Sequence, residues 1–176
     1  VRDLIKLAKE RPGRLNYGSA GIGSPPHLSG ELFKTMAGLE INHIPYKGAT
    51  PALVDLIGGH IDVYFGGISG TLPHIKSRKV RALAVTSERR SSQLPEVSTI
   101  AEAALPGYDI TTWFGLLAPA GTPKDIVGKL STVMLGIANE PETRAYLIGQ
   151  GVEPSPAGPE QFAAYIRAEI PKFAKI

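Results

Sequence analysis

The residues best suited to chemistry lie in a glycine-rich loop, residues 18–24, between a predicted strand and a predicted helix. Glycines leave main-chain amides uncovered and permit positive φ, so several N–H groups can converge on one ligand. The following helix adds the positive end of its dipole, and Ser19 and Ser24 add hydroxyl donors. The pattern favours an anion site at the carboxyl end of a parallel strand, although a tight turn with nothing bound uses the same residue types.

The predicted helix after this loop opens with Pro25 and Pro26, which carry no N–H. The amide donors must therefore come from the neighbouring residues Gly21, Ile22, Gly23, Ser24 and His27. The imidazole of His27 stands in the first helical turn, where it can donate to a carboxylate or simply cap the turn.

Several other kinds of site do not fit the chain. No Lys follows the last glycine of the loop, and Gly18, Gly21 and Gly23 lack the dinucleotide-binding spacing. Ser19 and Ser24 lack the Gly-x-Ser-x-Gly spacing of a nucleophile elbow. The four histidines have neither helical ligand spacing nor an acidic cluster beside them. The sequence therefore predicts no cofactor, no metal site and no catalytic residue.

Two further predicted strand ends carry glycine loops, Tyr46-Lys47-Gly48 and Gly66-Gly67. Because the carboxyl ends of parallel strands meet at one edge of a sheet, these loops are expected to line one cleft with the first. Lys47 can pair with a carboxylate there or remain solvated, and Tyr46 can wall the cleft or pack into the core.

Alternating strands and helices are predicted to position these loops. Predicted strands cover residues 15–17, 41–45, 61–65, 80–86 and 108–118, and predicted helices cover 3–11, 25–37, 50–58, 72–77, 99–105, 123–139, 140–150 and 159–174. The nearly continuous apolar run at 80–86 is typical of a strand buried on both faces. The alternation predicts an α/β fold with a mostly parallel sheet flanked by helices, and the helical tail indicates a domain boundary near residues 111–118.

Composition restricts the class of protein. The chain has 176 residues, 43% of them hydrophobic and 20% charged, which fits one domain or one domain with part of another. The net charge of +3 comes from scattered basic residues, a distribution that predicts a solvated surface and no nucleic-acid site. The absence of Cys excludes disulfides and thiolate chemistry, and no apolar run reaches the roughly 18 residues of a membrane span.

Six motifs in one order resemble the Bug family, the extracytoplasmic solute receptors of tripartite tricarboxylate transporters. They are NYGSAGIGS at 16–24, HLSGELF at 27–33, HIPYKG at 43–48, LPHI at 72–75, RALAVT at 81–86 and WFGLLAPAGTP at 113–123. The resemblance implies a two-lobed periplasmic binding protein, without catalytic activity, that closes on a small carboxylate and delivers it to membrane transporter subunits. By motif, it implies ligand contacts at Ser19, Gly21, Gly23, Ser24, His27, Tyr46, Gly48 and Gly66.

The resemblance also implies a domain organisation. Residues 1–112 would form the complete second lobe, and residues 113–176 would form the mostly helical part of an incomplete first lobe, because family members carry about a hundred more N-terminal residues. The apolar faces of the tail helices would then need another partner, and self-association is expected. These faces carry Ile126, Leu130, Val133, Phe162 and Ile166.

Two other classes of function share parts of this pattern. The effector-sensing domain of a transcription regulator can have the same two-lobed architecture, but it would need an attached DNA-binding helix pair, and none is visible. A small α/β enzyme acting on a carboxylate would need a general base in the cleft, for which His27 is the only candidate.

Overall fold

A computed structural model describes residues 1–174 and 176, and the chain divides into two compact units. Unit 1 comprises Val1–Thr112, and unit 2 begins at Trp113. Unit 1 contains α1 (Arg2–Glu10), β1 (Asn16–Ser19), α2 (Pro25–Ala37), β2 (Asn42–Pro45), α3 (Ala49–Gly58), β3 (Val63–Tyr64), α4 (Ile68–Lys76) and α5 (Ile100–Ala103). Unit 2 contains α6 (Lys124–Asn139), α7 (Pro141–Gly149) and α8 (Pro159–Phe173).

The sheet of unit 1 has the strand order β2-β1-β3, and both pairings are parallel. In its register Tyr17 pairs with His43 on one side and with Val63 on the other. The predicted α/β class with a parallel, helix-flanked sheet is confirmed. Because β1 is central, the loop at its carboxyl end lies between the ends of the other two strands.

The helix boundaries follow local capping signals. Ser24 is the N-cap of α2, Pro25 takes its first position, and Gly38 closes it with a φ of 62° in the left-handed region. Thr99 caps α5 through a reciprocal capping box with Glu102. One predicted helix start differs: α3 begins at Ala49 with Gly48 as its N-cap, whereas the sequence predicted a start at residue 50.

Two predicted strands do not form. Within residues 80–86 only Val85 makes a parallel bridge, to Thr99, while Leu83 is 40% exposed. Residues 108–118 contain no strand, although the N–H of Ile110 donates to the carbonyl of Thr86. A β-prone run becomes a strand only where another strand accepts its hydrogen bonds, and none among the described residues does so here.

The core of unit 1 lies between α2 and the sheet. Tyr17, Phe33 and Tyr108 are each at most 2% exposed, and the Tyr108 hydroxyl donates to the carbonyl of Ser29 at 2.8 Å. The cluster also includes Ala8, Leu15, Ala37, Leu39, Ile41 and Ile100. This packing fixes α2, and with it the loop that precedes α2, against the central strand.

Unit 2 buries little of its apolar surface. The ring of Phe162 was expected to lack a partner, but it packs edge-on against Trp113 at 5.4 Å between centroids. By contrast, one face of α6 carries an exposed apolar stripe, formed by Ile126, Leu130, Val133, Met134 and Ile137. None of the helices that the structure describes is long and apolar enough to cross a membrane.

Candidate anion-binding site

The parallel sheet brings the three predicted glycine loops to the same edge. The loop after β1 is fixed to the loop after β2 by a hydrogen bond from the Tyr46 N–H to the Ser19 carbonyl at 3.0 Å. Gly21 has a φ of 125° and Gly23 a φ of 77°, both in a region that favours glycine. The space beside Gly48 is open, since a Cβ there would meet nothing within 4 Å.

Gly66, in the loop after β3, differs from Gly48 because it is closely packed. A Cβ added at Gly66 would overlap the ring of Tyr64 and would lie 3.0 Å from the Thr71 methyl group. Its lack of a side chain is therefore already explained by local packing, whether or not a ligand approaches.

The expectation that the loop amides are uncovered is only partly correct. The N–H of Gly21 donates to the Ser19 hydroxyl at 3.1 Å, and that of Gly23 donates to Nδ1 of His27 at 3.1 Å. The N–H of Ser24 donates to the carbonyl of Gly21 at 3.2 Å, and the Ser24 hydroxyl donates to the same carbonyl at 2.6 Å. The side chains of Ser19 and His27 satisfy the first two amides, and a main-chain carbonyl satisfies the third, because a short turn brings these groups within reach.

The remaining two amides of the predicted set are open. The N–H groups of Ile22 and His27 have no hydrogen-bond partner in the described part of the chain. Ile22 is 81% exposed, so solvent and small ligands can reach this part of the loop. Without a rearrangement of the loop, these two amides and the positive end of the α2 dipole are the groups that can bind an anion.

His43 joins the site although it is not among the ligand contacts that the family resemblance implied. Its ring lies 4.2 Å from that of His27 and 4.8 Å from that of Tyr17, between centroids. Its Nε2 lies 2.7 Å from the Ser19 hydroxyl. Burial lowers the pKa of His43, and the charge of His27 lowers it further, which favours a neutral ring behind the loop. The pairing of Tyr17 with His43 is a property of strand register, which sequence spacing alone does not give.

A charged pair, Glu31 and Lys34, lies on α2. Glu31 accepts from the Tyr17 hydroxyl and from Lys34, whose Nζ is 2.8 Å from its Oε1. Burial acts to raise the pKa of Glu31, but the hydrogen bonds from Lys34 and Tyr17 outweigh it and the pKa is lowered. Burial and the neighbouring carboxylate raise the pKa of Tyr17 well above its usual range. Glu31 is thus an ionised carboxylate compensated by Lys34, and it leaves little net charge to repel an anion.

The contact between Ser19 and His43 has the geometry of a nucleophile beside a base, but Ser19 is completely buried. A hydroxyl with no accessible surface is not placed to attack a substrate. It instead accepts a hydrogen bond from the Gly21 amide and fixes the start of the loop.

Among the described residues there is no group of three or more His, Cys, Asp or Glu that could hold a metal ion.

Comparison with known proteins identifies the family of this chain. The model of the tripartite tricarboxylate transporter family receptor, TctC, matches residues 1–176. The chain belongs to this family. The Bug resemblance is also confirmed, because the chain is 32% identical to the periplasmic binding protein BugD, with a TM-score of 0.82 over 99% of this chain and 59% of that one.

Two other proteins of known structure are similar to this TctC-family chain. R. palustris Rpa4515, solved with adipate, is 39% identical with a TM-score of 0.89 over 99% of this chain and 58% of that one. MatC from Rhodopseudomonas palustris, solved with malate, is 28% identical with a TM-score of 0.82 over 98% of this chain and 60% of that one. The chain spans about half the length of the curated relatives it matches, 53% of each of two relatives that are 38% identical to it.

Proposed function

We propose that residues 1–112 form a carboxylate-binding lobe of a periplasmic solute receptor that delivers its ligand to membrane transporter subunits. The observation that carries the proposal is the glycine loop at the carboxyl end of the central strand, with the open amides of Ile22 and His27 beside the start of α2. Family membership and the dicarboxylates bound by two similar receptors support a carboxylate as the ligand. In this proposal residues 113–176 contribute the helical part of the other lobe.

Each proposed contact has a distinct role. Gly21 and Gly23 set the path of the loop, and the buried Ser19 and the N-cap Ser24 hold its two ends. His27 contributes its amide and its ring at the start of α2.

The loops from the other two strand ends would complete the cleft. Tyr46 offers its ring and not its hydroxyl, which donates to Asp55 Oδ2 at 2.6 Å; burial and this hydrogen bond raise the pKa of Tyr46 to about 12. Gly48 leaves main chain uncovered at the end of β2, whereas Gly66, at the end of β3, makes room for the Tyr64 ring.

Replacement of Gly21 by Ala tests the loop directly. Because a φ of 125° is nearly restricted to glycine, Ala forces the loop onto another path at a cost of about 1–3 kcal/mol, and the open amides move with it. We expect the dissociation constant for adipate or malate, measured by calorimetry, to rise at least about tenfold.

Gly13→Ala is the matched control, since Gly13 also has a positive φ, 66°, but precedes β1 at the opposite end of the sheet. It should lower stability by about 1 kcal/mol and leave the dissociation constant unchanged. Equal binding by wild type and Gly21→Ala would refute the proposed site. Turnover of either carboxylate, abolished by His27→Ala, would instead identify an enzyme.

A second part of the proposal concerns self-association through the apolar stripe of α6. Leu130 is 57% exposed and Val133 is 54% exposed, and an exposed stripe of this length is costly in water. Sedimentation should show a concentration-dependent dimer or larger species that the double substitution Leu130→Glu, Val133→Glu converts to monomer. A wild-type chain that remains monomeric at all concentrations would contradict this expectation.

A further inference from the structure

One hydrogen bond of the anion loop depends on the protonation state of a side chain. The N–H of Gly23 donates to Nδ1 of His27 at 3.1 Å. A ring nitrogen can accept a hydrogen bond only when it carries no proton, so His27 in this arrangement is neutral with its proton on Nε2. The neutral imidazole therefore accepts the hydrogen bond of an amide that could otherwise donate to the ligand.

We propose that carboxylate binding at this loop is coupled to protonation of His27. Protonation places a hydrogen on Nδ1, which abolishes the acceptor for Gly23 and turns the ring into a cation. One proton thus supplies the anion with two new partners, the released Gly23 amide and the imidazolium. The inference rests on the proposed function, because it takes the loop to be the anion site.

The groups around His27 favour this coupling. His43, from β2, stacks on it at 4.2 Å, and two adjacent imidazolium rings would repel each other, so the pair accepts one proton more readily than two. Burial lowers the pKa of His43, so the charged form of that ring is disfavoured. The exposure of His27 is intermediate, so water and protons reach it.

The remaining charged or titratable neighbours lie on β1 and α2. Tyr17 stays protonated, and Glu31 is compensated by Lys34. The positive end of α2 repels an imidazolium, and a bound carboxylate removes that repulsion. Ligand and proton therefore stabilise each other's binding, which is the condition for thermodynamic linkage.

The sign of the effect follows from this linkage. Binding of the anion favours the protonated ring, so affinity is highest where His27 is charged and falls as the pH rises and the ring loses its proton. A change of about fivefold to tenfold in the dissociation constant between about pH 6 and about pH 8 is expected, at the lower end of typical couplings between sites.

The first experiment needs no ligand. In NMR titrations of the 15N-labelled chain, the Gly23 amide resonance should shift with the same midpoint as the ring resonances of His27, because the hydrogen bond breaks on protonation. In His27→Asn, whose side-chain oxygen can accept from Gly23 but cannot be protonated in this range, that shift should vanish. A Gly23 resonance that ignores the His27 titration would overturn the proposal.

The second experiment measures binding. Calorimetry with adipate at about pH 6 and about pH 8, where the ligand remains largely ionised, should show the affinity change in wild type and in the surface control His60→Asn, with proton uptake revealed by buffers of different ionisation enthalpy. His27→Asn should have one affinity at both pH values and no proton uptake. Binding without pH dependence refutes the coupling alone, whereas no binding of adipate or malate at either pH refutes the proposed function and the coupling together.

Discussion

Replacing Phe33 by Ala is expected to lower the free energy of unfolding of unit 1 by about 3–5 kcal/mol, the usual cost of removing a buried phenyl ring. Phe33 is 2% exposed on the inner face of α2, with the ring of Phe65 at 5.7 Å and that of Tyr108 at 6.5 Å. No small movement fills the resulting space, because the cavity would be bordered by the sheet on one side and by the segment that carries Tyr108 on the other.

The control for this substitution is another phenylalanine, Phe114, which is 82% exposed. Phe114→Ala should change the free energy of unfolding by less than about 0.5 kcal/mol, as is usual for surface positions. Urea denaturation followed by circular dichroism and by hydrogen exchange of β1 amides measures both variants. Equal losses would contradict the core assignment, since both residues are phenylalanines and the structure buries only Phe33.

The sequence could predict the helices and the parallel direction of the strands. The helices were predictable because their ends are encoded locally: α2 has Pro25 at its first position and the left-handed Gly38 directly after its last. The parallel order of the short strands followed from the alternation of strands and helices.

Strand formation in the runs 80–86 and 108–118 was not decided locally. Both runs have strand-like composition, and both lack a continuous hydrogen-bonding neighbour among the described residues. The burial of Tyr108 and the exposure of Phe114, six residues apart, depend on which surfaces the fold presents to each. Both are aromatic residues of one strand-like run, so the difference in burial comes from the three-dimensional arrangement.

The candidate site was predictable in its main chain and less so in its side chains. The positive φ of Gly21 and Gly23 and the junction with α2 follow from residue type and spacing. The internal partners of the Gly21 and Gly23 amides depend on side-chain rotamers of Ser19 and His27. The placement of His43 against Ser19 depends on the register between β1 and β2.

Gly30→Ala is expected to destabilise unit 1 by about 1–3 kcal/mol, the cost of overpacking a filled interior. The added Cβ would overlap the ring of Tyr17, including a distance of 2.6 Å to its Cζ. Tyr17 is 1% exposed, is stacked on His43 and donates to Glu31, so its ring has no free direction in which to move. Relief must come from displacement of α2, which would also shift His27 and weaken carboxylate binding.

Gly70→Ala is the matched control, because Gly70 is also inside a helix, α4, and a Cβ there meets nothing within 4 Å. It should be neutral or stabilise by up to about 1 kcal/mol, since Ala is the better helix former. Thermal unfolding measures both, and the loss caused by Gly30→Ala should be smaller in a Tyr17→Leu background, because the smaller side chain leaves room for the methyl group. A Gly30→Ala chain as stable as Gly70→Ala would mean that α2 can move away from β1, and the anion loop would then not be held by this packing.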